Sequence, residues 1–235
     1  MKKLIMSDLD CTLLPMDQDL YIQLYVNEIA KLFTEHGYNG KDIAKATMKA
    51  STYMMKNDGS RKNSEAFEDG FRQIIGEGAQ TIIDIFPQVY GDRYDIIKSV
   101  TSFNPYAKEI VDLMNEKAEF TVVATQPMFP IEAVTKRLSW TGLAPSMFDY
   151  VTIYNESSYS KPSPMYYKEI MDKFGATPET TMMIGNDVNE DILPCIELGI
   201  DTFLITDGII NTQNHNIDNI RKGTYTDLIE YLKAI

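Results

Sequence analysis

Phe120-Thr121-Val122-Val123-Ala124 is a short apolar run rich in β-branched residues, the pattern of a strand buried on both faces. Three similar runs follow: Tyr150-Val151-Thr152-Ile153, Thr181-Met182-Met183-Ile184 and Thr202-Phe203-Leu204-Ile205. Helical patterns separate them. Asn104 then Pro105 reads as a cap and a first-turn proline, with Tyr106, Ile110, Leu113 and Met114 at helical spacing behind them. Ile131, Val134 and Leu138 repeat that spacing. Ser163-Pro164 opens a helix that has Tyr167, Ile170, Met171 and Phe174 on one face and Gly175 as its stop. Tyr225, Leu228, Ile229 and Leu232 mark a final helix. Strands alternating with helices predict an α/β fold, a Rossmann-like parallel sheet covered by helices on both faces.

Working back toward the N-terminus, Leu4-Ile5-Met6 reads as a strand, and no comparable run appears before Phe120. A strand–helix–strand unit needs only about 30 residues. The gap is far longer, and its sequence reads as helices. Tyr25, Ile29, Leu32 and Phe33 mark one that ends near Gly37; a second runs from Lys41 to Lys56, a third from Ser64 to Ile75, and a fourth follows Pro87. The expectation is a core of residues 1–14 and 101–235, interrupted by a small all-helical cap domain at residues 15–100. An insertion leaving directly after the most chemically loaded segment suits a lid better than a bystander domain.

Bulk composition narrows the classes. The 235 residues carry a net charge of −12, which argues against nucleic-acid binding. An acidic surface does not exclude a small phosphorylated substrate, because one local cation suffices for it. Two distant cysteines, Cys11 and Cys195, offer neither a disulfide framework nor a metal-binding pair. The opening apolar run is broken by Ser7, Asp8 and Asp10, and no later stretch approaches the roughly 18 apolar residues of a membrane span. A soluble, cytoplasmic protein is expected, with no membrane partner.

Chemistry-bearing residues fall at the ends of the predicted strands. Ser7-Asp8-Leu9-Asp10-Cys11-Thr12 places two carboxylates just past the first strand. Alone, such a pair is as often a solvated loop or a helix cap. Thr125 stands directly after the Phe120–Ala124 run, where it is either a turn residue or a hydroxyl for a phosphate oxygen. Lys161 lies in Ser160-Lys161-Pro162-Ser163-Pro164 at the front of a helix, between prolines that fix the local chain. It is either a surface lysine or an ammonium that neutralises a phosphate and an aspartate together. Ile184-Gly185-Asn186-Asp187, with Asp191 beyond, offers either helix caps or ligands for a cation. Together these features put carboxylates, a hydroxyl and an ammonium at the carboxyl edge of one parallel sheet, where open α/β folds build their sites.

The order Asp-x-Asp-x-Thr, Thr, Lys-Pro, Gly-Asn-Asp-x-x-x-Asp resembles the haloacid dehalogenase-like superfamily of phosphohydrolases. The resemblance spans nearly the whole chain, and the insertion after the first strand looks like that family's helical cap. It implies magnesium-dependent hydrolysis of a small soluble phosphomonoester. Asp8 would be the nucleophile that forms an aspartyl-phosphate, and Asp10 the general acid and base. Thr125, Gln126 and Lys161 would bind the phosphoryl group with Asp8. Mg2+ would be held by Asp8, the Asp10 carbonyl and Asp187. Asn186 and Asp191 are alternative or outer ligands, because Asn186 stands where many relatives carry an acid. Relatives that are dehalogenases lack an acid at the position of Asp10, so its presence favours phosphate chemistry. A phosphomutase using the same residues, or a non-catalytic member, is the alternative. In the cap, Arg61-Lys62 could reach an anionic part of the substrate or simply face solvent.

Overall fold

All 235 residues are described by the computed structural model. The chain begins with β1 (Lys2–Ser7), followed by α1 (Gln18–Glu35), α2 (Gly40–Met55), α3 (Asn63–Ile75) and α4 (Ala79–Ile83). Two short 3-10 helices (Phe86–Tyr90 and Asp92–Val100) lead to α5 (Ala107–Lys117) and β2 (Ala118–Val123). Then come α6 (Ile131–Trp140), β3 (Tyr150–Val151), α7 (Pro164–Phe174) and β4 (Thr181–Gly185). The last elements are α8 (Leu193–Leu198), β5 (Asp201–Ile205), β6 (Lys222–Gly223) and α9 (Tyr225–Ala234).

The six strands form one sheet in the order β3-β2-β1-β4-β5-β6, and every neighbouring pair is parallel. Side chains alternate across a strand, and β1 shows it directly. Ile5 joins a cluster with residues of α5, α6 and α9, while Leu4 and Met6 join another with residues of α7 and α8. Each such side chain contributes on the order of 1.5–3 kcal/mol when fully buried. Strand order reverses at β1, with β2 on one side and β4 on the other. A crevice opens at the carboxyl ends there, the usual place for a ligand in this architecture.

Residues 18–100 contain no strand. They have a separate buried cluster that includes Ile29, Leu32, Phe33, Ile43, Phe71 and Phe86. Asp17 caps α1 and Asn39 caps α2, each side chain accepting a first-turn N–H. Gly40 lets the two helices approach: a Cβ there would collide with the Ala30 carbonyl. At the base of this segment the two crossing stretches of chain are bonded together. Met16 and Thr101 form an antiparallel bridge, flanked by Asp17 N–H to Val100 O at 3.0 Å and Ser102 N–H to Pro15 O at 2.9 Å.

Two local expectations are corrected, and one strand is new. The helix expected directly after Pro87 is replaced by two short 3-10 segments, Phe86–Tyr90, which contains Pro87, and Asp92–Val100, with Gly91 between them. Asn104 is not the cap of α5, which starts at Ala107. Its side chain instead accepts from Tyr106 N–H and donates to Leu13 O, tying that turn to the loop after β1. β6 has only two residues, too few for any hydropathy pattern to reveal.

Candidate active site

β1 delivers Asp8 to the crevice, where its N–H donates to Ile184 O at 2.9 Å across the switch point. The chain then folds back sharply. Leu14 N–H donates to Leu9 O and Cys11 N–H to Leu14 O, both at 2.8 Å. This small loop presents Asp10 beside Asp8. Thr12 is buried behind both, its hydroxyl 3.2 Å from Asp8 Oδ2 and 2.9 Å from Asn186 Oδ1.

Lys161 reaches the same point from the loop before α7. It is 2% exposed, with Nζ 2.7 Å from Asp8 Oδ1 and 2.6 Å from Asp191 Oδ1. Burial works against its charge, but Asp191 and Asp8 outweigh that and hold its pKa well above the usual lysine range. Burial pushes Asp8 up to about 8; Lys161 opposes the rise, and Asp191 and Asp10 add to it. Asp191 Oδ2 also accepts the N–H groups of Asn186 and Asp187, at 3.1 and 3.0 Å. Gly185 is required beside it, since a Cβ would strike the Asp191 carboxyl group.

Asp187 Oδ1 accepts from Asn189 and Glu190 N–H, both at 2.8 Å, and so caps the π-helical turn Val188–Ile192. Its Oδ2 accepts no hydrogen bond from the protein. Burial raises the Asp187 carboxyl, with the Glu190 N–H pulling the other way. Asn186 is anchored through its amide to Gly208 O at 2.7 Å. Thr125 is buried, its hydroxyl 3.5 Å from Asp10 Oδ2, while its carbonyl accepts from the hydroxyls of Thr152 and Tyr166 at 2.7 and 2.8 Å.

These groups line a pocket of about 100 Å³ without a single apolar residue. Five carboxylates (Asp8, Asp10, Asp187, Glu190 and Asp191) face one lysine there. No three acidic, histidine or cysteine side chains are clustered as a ready metal cage. The geometry gives the reason: Lys161 sits between Asp8 and Asp191, and Asp187 leans on its own helix. The donor set still suits a hard divalent cation. Negative charge is in large excess, and the Asp10 carbonyl accepts no hydrogen bond from the protein.

Several sequence expectations shift. Gln126 spends its side chain on Lys161, its Nε2 donating to the Lys161 carbonyl at 3.2 Å and its Oε1 accepting the Lys161 N–H at 3.1 Å. It therefore holds the lysine loop rather than offering that amide to a phosphate. Arg61 and Lys62 do not reach the pocket. Arg61 pairs with Asp69 and lines a separate groove of about 440 Å³, while Lys62 is bound to Glu156 O and the Ser158 hydroxyl at 2.6 and 3.0 Å. The loop between α2 and α3 is pinned to the lysine loop, so its basic side chains point away from Asp8.

Two residues escaped the sequence reading. Asn63 is fully buried at the start of α3, donating to Pro127 O, Tyr159 O and the Ser160 hydroxyl at 3.1–3.2 Å. It ties the helical segment to the loops that carry Gln126 and Lys161. Arg137 is 1% exposed and forms an ion pair with Asp10 Oδ2. Burial opposes its charge most strongly, but Asp10, Tyr94 and Tyr21 together more than offset it and raise its pKa. A sequence signal for it did exist: Arg137 lies on the apolar face of α6, between Val134 and Leu138.

The profile of the haloacid dehalogenase-like hydrolases matches residues 2–215, and the chain belongs to that family. A glyceraldehyde 3-phosphate phosphatase of Methanocaldococcus jannaschii is 27% identical over 208 residues, 88% of this chain and 86% of that protein. A protein of the same name from Methanothermobacter thermautotrophicus is 30% identical over 89 residues, and that match spans only 37% of this chain and 39% of the relative. Among solved structures, a 2-haloacid dehalogenase from Pseudomonas syringae pv. Tomato superposes with a TM-score of 0.67 at 15% identity, covering 100% of this chain and 99% of that one. At that identity the likeness is one of fold. No helix of the structure is long and apolar enough to cross a membrane.

Proposed function

We propose that this chain is a magnesium-dependent phosphatase of small phosphomonoesters, with Asp8 as its nucleophile. The observation that carries this reading is the surroundings of Asp8. The carboxylate stands at the switch point of the sheet, held by Lys161, beside Asp10. The backbone N–H groups of Leu9, Asp10, Thr125 and Gln126 donate to no protein acceptor around it. Four unspent N–H groups and a buried ammonium form a cradle for the oxygens of a phosphoryl group. The relatives named as glyceraldehyde 3-phosphate phosphatases support the same class of substrate.

In this reading an Asp8 oxygen attacks phosphorus while the bond to the leaving oxygen breaks. Asp10 gives its proton to that oxygen, and the alcohol departs. Water then attacks the aspartyl-phosphate and passes a proton to Asp10, releasing phosphate and restoring Asp8. Lys161 and the N–H cradle neutralise charge on the transferring group, and Thr125 orients Asp10 from the other side. Bound magnesium would supply the positive charge that lets a phosphate approach this acidic pocket. Its holders would be Asp8, the Asp10 carbonyl and the Asp187 carboxylate, with Asn186 as the neutral alternative. Asp191 holds Lys161. Residues 15–100 act as a lid on a core of residues 1–14 and 101–235; their own apolar cluster, the paired crossing at Met16 and Thr101 and the docking of Asn63 all support this.

Release of inorganic phosphate from para-nitrophenyl phosphate and from glyceraldehyde 3-phosphate, with magnesium and with chelator, tests the reading. Magnesium-dependent release is expected. Chloroacetate turnover at a matching rate, or an isomerised ester with almost no free phosphate, would sink it. The choice of ligand has its own test. Asp187→Asn is expected to raise the magnesium concentration for half-maximal rate at least about tenfold. Asn186→Ala should raise it less; the reverse ranking would move the ligand to Asn186.

A further inference from the structure

Only three buried side-chain polar atoms in the protein lack a hydrogen-bond partner: Asp10 Oδ1, Arg137 Nε and Arg137 Nη2. All three belong to a single ion pair. The other oxygen of Asp10 takes Nη1 of Arg137 and lies within reach of the Thr125 hydroxyl. We infer that Arg137 is a positioning residue for Asp10, clamping Oδ2 so that Oδ1 is the oxygen presented to the leaving group.

The packing explains why the clamp is stiff. The Arg137 guanidinium lies over the Phe129 ring, with Cζ 5.0 Å from its centroid. Tyr21 and Tyr94 lie beside it, their hydroxyls bonded to each other at 2.9 Å rather than to the arginine. Trp140 stacks on Tyr94 at 5.9 Å. A side chain boxed by aromatic rings has few rotamers to visit, so its Nη1 aims one way. Asp10, in contrast, rides on the short loop after β1. Rigidity therefore passes from the arginine to the carboxylate.

Stability alone is a poor reason for the arginine. Buried ion pairs seldom stabilise more than an apolar replacement of equal size, and this one leaves two nitrogens of the arginine, Nε and Nη2, unpaired. An orientation role accounts for the same facts. One carboxylate oxygen is fixed, and the other is shielded from bulk water and unspent on the protein. Tyr21 and Tyr94 come from α1 and the second 3-10 helix, so the helical segment completes the box only when seated on the core.

This inference rests on the phosphatase reading, and leaving-group dependence separates the two. Phenyl phosphate needs a proton on its departing oxygen far more than para-nitrophenyl phosphate does. Arg137→Met is expected to lower kcat on phenyl phosphate about 100-fold. The loss on para-nitrophenyl phosphate should be about tenfold smaller, with KM little changed on both. The ratio of the two rates comes from one preparation, so a partly unfolded sample does not alter it. Arg137→Lys should restore part of the ratio. In an Asp10→Asn background, Arg137→Met should add no further change to it. Equal losses on both esters, or a full additional loss in the Asp10→Asn background, would overturn the positioning role while leaving the phosphatase reading intact. No turnover of either ester by the wild type would overturn both.

Discussion

Asp8→Asn is expected to abolish phosphate release, by at least about a thousandfold, and yet to leave a protein that resists heat better than the wild type at alkaline pH. The first half follows from removing the proposed nucleophile. The second follows from the charge balance. Asp8 titrates near 8 in the folded protein against 3.8 for the free side chain, chiefly through burial, with Asp191 and Asp10 adding and Lys161 opposing. Between those values the folded state binds a proton that the unfolded state does not. Stability of the metal-free wild type therefore falls as pH rises through that window. Asparagine cannot ionise, keeps an oxygen for Lys161 and lacks this slope. Thermal midpoints in chelator at pH 6 and pH 9 check it: the wild type should lose more than the variant between the two. A variant less stable than wild type at pH 9 would show that the Asp8 charge helps the fold. Magnesium should narrow the difference at pH 9, because a cation at 100 times its dissociation constant stabilises by about 2.7 kcal/mol.

Lys161→Met carries the second large effect. This ammonium lies between two buried carboxylates, 2.7 Å from Asp8 and 2.6 Å from Asp191. Methionine fills much the same volume but leaves both carboxylates facing each other without a counter-ion. Breaking a buried pair from one side costs about 3–5 kcal/mol. Activity should vanish as well, since in the proposed mechanism the same ammonium serves the transferring phosphoryl group. The stability loss has a specific remedy. At pH 9, where Asp8 carries its charge, adding Asp8→Asn removes one of the opposed charges and should recover part of the lost stability, while activity stays absent. Urea unfolding of the wild type, each single variant and the double variant measures this. No recovery in the double variant would mean that the lysine supports the fold through packing rather than charge.

The parts legible in the sequence share a trait: each depends on a short-range pattern. β1, β2, β4 and β5 announce themselves as apolar runs, and α7 by Ser163, Pro164 and Gly175. Asp8, Asp10, Thr125 and Lys161 could be gathered in advance because parallel strands bring their carboxyl ends to one edge. What stayed hidden depends on partners distant in sequence. Arg137 meets Asp10 across 127 positions, and Asn63 meets Ser160 across 97. The resemblance assigns Gln126 to phosphate binding; that its side chain is bonded to the Lys161 backbone emerges only from the fold. Arg61 and Lys62 misled as well. Their charge suggested an anion, but Asp69, Glu156 and Ser158 lie nearer to them than the pocket does.

The paired crossing at Met16 and Thr101 has an evolutionary consequence. Where a long excursion leaves and returns through adjacent, mutually bonded stretches of chain, its two ends define a fixed socket. Whatever is plugged in need only start and finish there; the strands behind it keep their register. Such an excursion can be lengthened, shortened or exchanged, and so sample new leaving groups, without moving the carboxylates proposed to react. In the proposed reading, inheritance of chemistry and invention of selectivity fall to different stretches of one gene.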